Sequence, residues 1–419
     1  MQATGGHCRP GRYTTFVRDT LLHGAEGAAS IARFEETNVR QLAAFAQAHQ
    51  IQCTLEAVTT VNIFESGTES QFSQVLAAIS ARKLALATDI ASGAADDRIV
   101  YSASSAQQTF HIPNAIGAVS FPAYTINPYQ FVCGVLELAL KKGLNLQTGT
   151  PVTSISSSIS SSKASKATWT VTTPRGNITT PNILLATNAY TSHLLPQASR
   201  FIKPVRNQAV ALRPRSNLLN LPLTLLQNHS ICFTYNTNQS SSGSDRMEGD
   251  DYLVSKPASP TTTTTTSDSP PPQPQRDLIL GGGRHLAAIP NEEFNTDDTS
   301  IDERVASYLR TALATQHFGG GDSGGGGGGG EEQVLREWTG IVGHTPDENP
   351  VLGAVAVSGR PPGLWICAGF TGHGMALAFR SADAVSSLVL GREGEVKDWL
   401  PRSFLWESKG RRRWIGLGE

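Results

Sequence analysis

The glycine-rich segment 368–375, which reads Ala-Gly-Phe-Thr-Gly-His-Gly-Met, has the residue types and spacing of a ligand-binding turn. It lies between a short apolar run and a pattern that predicts a helix over 374–390. Glycines let a backbone approach a ligand closely, and a helix N-terminus offers unpaired N–H groups that suit a phosphate or a developing anion. The alternative is an ordinary tight turn, in which His373 is only a polar turn residue.

A second polar segment stands about thirty residues earlier, where Trp338 opens a stretch that runs to Gly353 and contains Thr345, Pro346 and Asp347. Asp347 could contact a ligand or could cap a turn, since aspartate readily accepts hydrogen bonds from nearby backbone N–H groups. Three further motifs precede it: Leu-Ala-Thr-Asn-Ala-Tyr at 185–190, Ile-Lys-Pro-Val-Arg-Asn-Gln at 202–208 and Leu-Ile-Leu-Gly-Gly-Gly-Arg at 278–284.

These motifs, in this order, resemble those of the FAD-dependent amine and amino-acid oxidoreductases of the D-amino-acid oxidase superfamily, which includes sarcosine and glycine oxidases and γ-glutamylputrescine oxidase-like proteins. The resemblance covers most of the chain outside its low-complexity segments. It implies FAD as the cofactor and hydride transfer from a carbon that bears an amine to flavin N5, giving an imine. Molecular oxygen or another acceptor would then reoxidise the flavin.

The beginning of the chain resembles fungal members of the same superfamily, because residues 3–11 read Ala-Thr-Gly-Gly-His-Cys-Arg-Pro-Gly. In the family this region follows a βαβ unit whose glycine turn binds the FAD pyrophosphate. We expect this chain to lack such a unit, because only Met1 and Gln2 stand before this region in the sequence. The resemblance therefore implies an α/β (α+β) protein of two domains, with an incomplete Rossmann-like FAD-binding domain and a mixed-sheet substrate domain. A non-catalytic remnant, or an incomplete gene model, that cannot hold FAD is the alternative.

By resemblance, one discontinuous oxidoreductase domain spans 1–400 and a C-terminal tail spans 401–419. We expect the FAD-binding part at about 1–60, 128–200 and 335–395, and the substrate part at about 61–127 and 201–334. Four low-complexity stretches are too polar or too glycine-rich to bury a core, so we expect flexible surface insertions. They lie at 154–167, 236–245, 255–275 and 319–330.

The resemblance names no essential catalytic side chain, because a neutral amine needs no general base. The implied FAD contacts are Gly5, Gly6, His7, Val152, Thr187, Asn188, Thr345, Pro346, Asp347, Gly369, Thr371, Gly372, His373, Gly374 and Met375. FAD should be bound non-covalently, because Gly340 stands where some relatives carry the cysteine that links to flavin. His7, which is roughly in register with a flavin-linked histidine of other relatives, is the remaining possibility for a covalent bond.

The substrate-side candidates are Phe121, Arg206, Tyr252 and His344. Arg206 could bind a substrate carboxylate with two hydrogen bonds, or could lie exposed on its strand. The two aromatic residues could form a wall of the site, although aromatic residues in strands more often belong to the core. His344 could face the flavin or be a loop residue.

Composition excludes several classes of function. The net charge is −1, which argues against a generally basic nucleic-acid-binding protein. The five cysteines include no Cys-x-x-Cys pair, so we expect neither a disulfide framework nor a metal site. We find no apolar run of membrane-spanning length and no signal peptide, and we therefore expect a cytoplasmic protein without nucleic-acid or membrane partners.

Local patterns predict the elements that position these motifs. We expect a helix over 31–49 capped by Ser30, a helix between Asn127 and Gly143, and a strand over 144–148. Residues 168–173 and 177–179 flank Pro-Arg-Gly and predict a hairpin. Short buried strands are expected at 182–187 and 364–368.

Overall fold

A computed structural model describes residues 5–158, 168–214, 223–237, 248–257, 276–318, 333–357 and 360–407 of the chain. Much of the four low-complexity stretches, and residues 408–419 of the expected tail, lie outside these ranges. The chain divides into two compact units. Unit 1 comprises Met1–Val17, Ala43–Val132 and Arg206–Ile341, and unit 2 comprises Arg18–Leu42, Cys133–Val205 and Val342–Glu419.

The described residues form nine α-helices and fifteen β-strands. The helices are α1 (Phe16–Ala48), α2 (Glu69–Ala85), α3 (Ala87–Ala91), α4 (Ala103–Phe110), α5 (Pro128–Lys141), α6 (Thr191–Leu194), α7 (Leu223–Asn228), α8 (Glu303–Ala312) and α9 (Gly374–Val389). The strands are β1 (His7–Cys8), β2 (Glu56–Glu65), β3 (Ile99–Ser102), β4 (Ala115–Thr125), β5 (Ser154–Ser158), β6 (Thr168–Thr173), β7 (Gly176–Thr180), β8 (Ile183–Leu185), β9 (Lys203–Arg213), β10 (His229–Asn236), β11 (Glu248–Pro257), β12 (Arg276–Gly281), β13 (Gln333–His344), β14 (Val351–Ala354) and β15 (Leu364–Ala368). None of the described helices is both long enough and apolar enough to cross a membrane.

Unit 1 is built on a mixed sheet with strand order β1-β4-β2-β10-β11-β12-β9-β13, and β3 pairs with β4. Strands β2 and β10 run parallel, whereas β10, β11, β12 and β9 pair in antiparallel succession. Alternate residues of these strands point into one apolar core, which includes Val61, Phe110, Val210, Phe233 and Leu309. The expected mixed α/β architecture with a mixed sheet is confirmed.

A buried network of charged side chains crosses the sheet of unit 1. The ring of His317, which is fully buried, contacts Glu65 Oε1 through Nδ1 at 2.6 Å and Asp251 Oδ2 through Nε2 at 3.1 Å. It also stacks on Phe233, with ring centroids 3.8 Å apart. Tyr308 donates a hydrogen bond of 2.5 Å to Asp251. The network ties β2, β11 and the π-helical turn after α8 together.

Unit 2 contains a sheet of order β14-β15-β8, in which β8 and β15 are parallel. A second sheet, β5-β6-β7, is antiparallel. The strand β15 is apolar throughout and lies between the cores around Trp169 and Phe34. Helix α1 is fixed to α9 by the buried Asn38, whose side chain donates to Met375 O and accepts from Arg380 N. The first turns of α9 are thereby held against α1.

Several local predictions are confirmed. Helix α5 follows Asn127, whose side chain accepts the N–H of Gln130, and ends before Gly143 in the left-handed conformation. The hairpin β6–β7 turns between Thr173 and Gly176. Strand β15 and helix α9 lie where the apolar patterns predicted them.

Other local predictions are wrong. Helix α1 begins at Phe16 and passes through Ser30, because the alanines around Ser30 favour helix and the break comes at Gly24, which has φ 76°. Residues 144–148 form no strand. Part of the first low-complexity stretch pairs with β6 as β5, so it is not an unstructured insertion.

The bounds expected for two low-complexity stretches and for the C-terminal tail also differ from the structure. The second and third low-complexity stretches begin inside β10 and β11, at Asn236 and at Ser255. Residues 401–407 are not a solvated tail, since Phe404 and Trp406 are buried among the apolar side chains of unit 2.

The His317 network predicts a pH-dependent stability. Burial alone lowers the pKa of His317, but hydrogen bonds and charges from Asp251 and Glu65 outweigh it and raise that pKa. A histidine whose pKa is higher in the folded than in the unfolded chain stabilises the fold fully below about pH 6.5, and this stabilisation is lost as the pH rises through the folded pKa. We expect His317→Gln to lower the free energy of unfolding by roughly 3–5 kcal/mol at pH 6, and by less at pH 9.

Urea denaturation followed by circular dichroism at pH 6 and pH 9 measures this difference. The exposed His193 in unit 2 provides the control variant His193→Gln, which should behave like the wild type at both values. An equal loss for His317→Gln at pH 6 and pH 9 would show that His317 is uncharged in the fold.

Candidate functional site

Three segments of unit 2 meet at the end of β15. The side chain of Asn188, which follows β8, accepts hydrogen bonds at Oδ1 from the N–H groups of Gly369 and Phe370, at 2.9 and 3.3 Å. A Cβ atom on Gly343, at the end of β13, would lie 2.9 Å from the same Oδ1 atom. Only glycine therefore allows β13 to approach this closely. One carboxamide thus holds the first two residues of the glycine-rich turn.

A second set of hydrogen bonds holds the middle of the turn. Thr371 donates its backbone N–H to Gly343 O at 2.8 Å, and its hydroxyl oxygen accepts the N–H of Thr345 at 3.0 Å. The Thr345 hydroxyl donates to Asn349 O at 2.9 Å. Both threonines are buried. The segments 343–349 and 369–371 therefore form one hydrogen-bonded layer.

Three non-glycine residues of this layer have left-handed backbones: Asn188 at φ 44°, Thr371 at φ 47° and Glu348 at φ 54°. This conformation is tolerated by asparagine but is unfavourable for a β-branched threonine. Strained backbone of this kind costs about 1–3 kcal/mol per residue and clusters at functional sites. Glu348 is held by an ion pair with Arg18 of α1 at 2.8 Å.

The N-terminus of α9 is open within the part of the chain that the structure describes. A Cβ atom built on Gly372, which has φ 77°, would meet no atom of the described residues within 4 Å, and one on Gly374 would meet only Phe370 Cβ, at 3.9 Å. Among the described residues no side chain caps this 16-residue helix, because the His373 ring turns back, where its Nδ1 atom contacts Thr371 O at 2.9 Å. A carbonyl oxygen only accepts, so Nδ1 carries the proton. The helix end can therefore receive a negatively charged group from outside the chain.

The other predicted residues of unit 2 make different contacts within that unit. The Thr187 hydroxyl lies 2.9 Å from that of Thr191, and Val152 packs against the core around Trp169. The Asp347 carboxylate accepts the N–H of Asn349, which is the turn-capping role that the sequence left open. His344 is the last residue of β13, and Pro346 follows two residues later.

The N-terminal candidates lie in unit 1. A Cβ atom on Gly5 would meet the Tyr252 ring at 2.5 Å, and one on Gly6 would meet Ile126 O at 1.9 Å. The His7 Nε2 atom lies 2.9 Å from Thr60 Oγ1 and 2.7 Å from Ser230 Oγ. Glycine is therefore required at both positions for the first strand to pack against its neighbours.

The structure corrects the reading of Arg206. This residue is buried rather than exposed on its strand, and the carboxylate that it meets is that of Glu292, at 2.8 and 2.9 Å. Its remaining nitrogen donates to Ser300 and to Asp297 O. All three of its guanidinium nitrogens donate hydrogen bonds within the chain, so Arg206 is a structural residue and not a substrate ligand.

Of the two aromatic candidates of unit 1, Phe121 is buried and Tyr252 is half-buried. Phe121 packs edge-to-face on Tyr13, with ring centroids 5.2 Å apart, and belongs to the core, as the alternative reading held. Burial raises the pKa of Tyr252 to about 12, so its hydroxyl stays protonated at physiological pH.

The family of the chain is shown by its sequence. Residues 2–388 match the family model described as FAD dependent oxidoreductase, DAO. The chain belongs to this family. FAD is accordingly its cofactor, and the expected oxidoreductase class is confirmed. A search of curated protein sequences finds no match.

Solved structures share the fold. The chain resembles glycine oxidase from Geobacillus kaustophilus, with 16% identity and a TM-score of 0.56 over 86% of this chain and 79% of that one. It resembles L-proline dehydrogenase from P. horikoshii, with 17% identity and a TM-score of 0.56 over 92% and 84%. It also resembles L-amino acid deaminase from Proteus vulgaris, here with a deletion of its specific insertion sequence, with 15% identity and a TM-score of 0.58 over 97% and 83%.

Sequence reasoning missed the residues that support the turn. Asn38 and Arg18 each contact a residue at least 330 positions away in the sequence, namely Met375 and Glu348. No local motif indicates such contacts. Gly343 is the residue from which these contacts could have been predicted, because an isolated glycine at the end of a strand often marks the close approach of another backbone.

Gly369 and Gly372 form a matched pair for a mutational test. Both have φ 77°, so we expect an alanine at either position to lower the free energy of unfolding by roughly 1–2 kcal/mol. Only the Gly369→Ala methyl group collides, since it would lie 2.7 Å from Thr345 Cγ2. We expect a further loss of roughly 1–3 kcal/mol for this variant in urea denaturation.

Gly372→Ala should instead lower FAD affinity, by about tenfold or more, because its methyl group enters the open space at the end of α9. Titration of flavin fluorescence measures this affinity. If Gly372→Ala binds FAD as tightly as the wild type, then FAD does not lie on this part of the turn.

Proposed function

We propose that this chain oxidises the C–N bond of an amine or amino acid to an imine, which water then hydrolyses. The observation that carries the proposal is the hydrogen-bonded turn 369–375 in front of an uncapped α9 N-terminus, in a chain of the FAD dependent oxidoreductase family. Neighbours of the same fold include a glycine oxidase and an L-proline dehydrogenase, which supports a substrate of this class. When bound, FAD would supply the redox chemistry, as the acceptor of a hydride at N5.

The residues that we assign to FAD in unit 2 are those of the turn and its supports. Gly369, Thr371, Gly372, His373, Gly374 and Met375 form the surface, and Thr187, Asn188, Thr345, Pro346 and Asp347 hold or border it. The open space at Gly372 and Gly374 is what a planar ring needs for close approach. We propose that the N-terminus of α9 stabilises the negative charge that the reduced cofactor would carry.

Further FAD contacts are proposed at Val152 in unit 2 and at Gly5, Gly6 and His7 in unit 1. We propose non-covalent binding, because Gly340 offers no thiol and the His7 Nε2 atom already lies within hydrogen-bonding distance of Thr60 and Ser230.

The protein's own part in the reaction is to bind and orient. His373 donates its Nδ1 proton to Thr371 O, which fixes the orientation of the ring at the N-terminus of α9. We assign no general base, because an amine that binds in its neutral form already has the lone pair that becomes the imine bond. Molecular oxygen or another acceptor takes the electrons in a separate step.

The purified full chain tests this proposal. We expect a yellow protein, with or without added FAD, whose flavin absorbance bleaches when glycine, sarcosine or L-proline is added under anaerobic conditions. Acid precipitation should release all of the flavin into the supernatant if binding is non-covalent. A protein that stays colourless with added FAD would contradict the proposal and support the non-catalytic alternative.

A further inference from the structure

Helix α1 is broken at Gly24, within unit 2. This glycine has φ 76° and ψ 167°, a conformation that is essentially restricted to glycine, and helix continues on both sides of it. We call residues 18–23, which precede the break, the clamp segment. Its two leucines, Leu21 and Leu22, are 82% and 56% exposed, so apolar packing contributes little to holding this segment.

Polar contacts from both ends of the clamp segment reach one short stretch of the cofactor site, residues 345–349. The Arg18 guanidinium group contacts both carboxylate oxygens of Glu348, at 2.8 and 3.0 Å. The His23 Nε2 atom lies 3.2 Å from Nδ2 of the buried Asn349, an amide nitrogen that donates to it. The clamp segment therefore holds two successive residues of this stretch.

The stretch 345–349 is in turn bonded to the glycine-rich turn. Thr345 donates its hydroxyl to Asn349 O at 2.9 Å and its backbone N–H to the Thr371 hydroxyl at 3.0 Å. Glu348 and Thr371 both have left-handed backbones, which persist only where surrounding contacts hold them. A continuous path of hydrogen bonds and peptide bonds therefore runs from the clamp segment to the turn.

The part of α1 that follows Gly24 holds a different side of the same site. There, Asn38 donates to Met375 O and accepts from Arg380 N, at the start of α9. The break at Gly24 thus allows one helix to contact α9 with one part and the stretch 345–349 with the other.

We propose that Arg18 and His23 are positioning residues of the cofactor site. Through the stretch 345–349 they hold Thr345 and Thr371 in the geometry that binds FAD. This inference rests on the proposed function, which places FAD at the turn. Coupling between two binding events is reciprocal, so a clamp segment that raises the affinity for FAD is itself held more firmly when FAD is bound.

Titration of flavin fluorescence on variants of the full chain tests the inference. We expect Arg18→Gln and Glu348→Gln each to weaken FAD binding by about three- to tenfold, because a pair with two hydrogen bonds is lost from a half-exposed position. Arg18→Lys, which keeps the charge, should recover part of the loss, and the double variant should bind no more weakly than either single one. Glu26→Gln is the matched control, because it removes the carboxylate of an exposed ion pair with Arg33 on the same helix, and it should bind FAD like the wild type.

Hydrogen–deuterium exchange measured by mass spectrometry provides a second readout, which a purely structural role of Arg18 would not change. We expect FAD to slow the exchange of the backbone N–H groups of residues 345–349 in the wild type and in Glu26→Gln. In Arg18→Gln the same concentration of FAD should slow it less.

The outcomes separate this inference from the proposed function. If the wild type binds FAD and oxidises an amine or amino acid, while Arg18→Gln binds FAD equally tightly, the role of the clamp segment is wrong and the proposed function stands. If FAD affinity depends on Arg18 but no amine or amino acid is oxidised, the clamp segment stands and the proposed function fails. A wild type that does not bind added FAD would overturn both.

Discussion

The carboxamide oxygen of Asn188 is the acceptor on which the candidate cofactor site depends. It receives the N–H groups of Gly369 and Phe370, and it lies where Gly343 must be a glycine to fit. Each such hydrogen bond contributes about 0.5–1.5 kcal/mol, and together with those of Thr371 they offset the left-handed backbones at positions 188 and 371. The chain tolerates this strain because the turn then leaves the end of α9 open.

Two buried charged side chains of unit 1 are also paired with carboxylates. His317 lies between two carboxylates, and Arg206 is fully engaged by Glu292, whose own backbone is left-handed at φ 58°. Buried ionic groups without partners are costly, so each of these groupings stabilises the fold only while all of its members are present.

Local sequence patterns predicted the elements that carry the site but not the contacts that shape it. The apolar run of β15, the glycine turn and the start of α9 follow one another in sequence, so propensity alone located them. The bond from Gly369 to Asn188 joins residues 181 positions apart, and that from Arg206 to Glu292 joins residues 86 positions apart. The family resemblance supplied Asn188 as a candidate, but nothing local to Arg206 indicates that Glu292 occupies it.

The FAD affinity of Asn188→Ala, compared with the wild type by flavin fluorescence titration, tests the role of this carboxamide most directly. Asn188→Gly is the matched control, because glycine relieves the left-handed strain while it also lacks the acceptor. We expect affinity at least about tenfold weaker in both variants, with unchanged far-UV circular dichroism. Equal affinity in the wild type and both variants would show that FAD binding does not depend on the Asn188 acceptor.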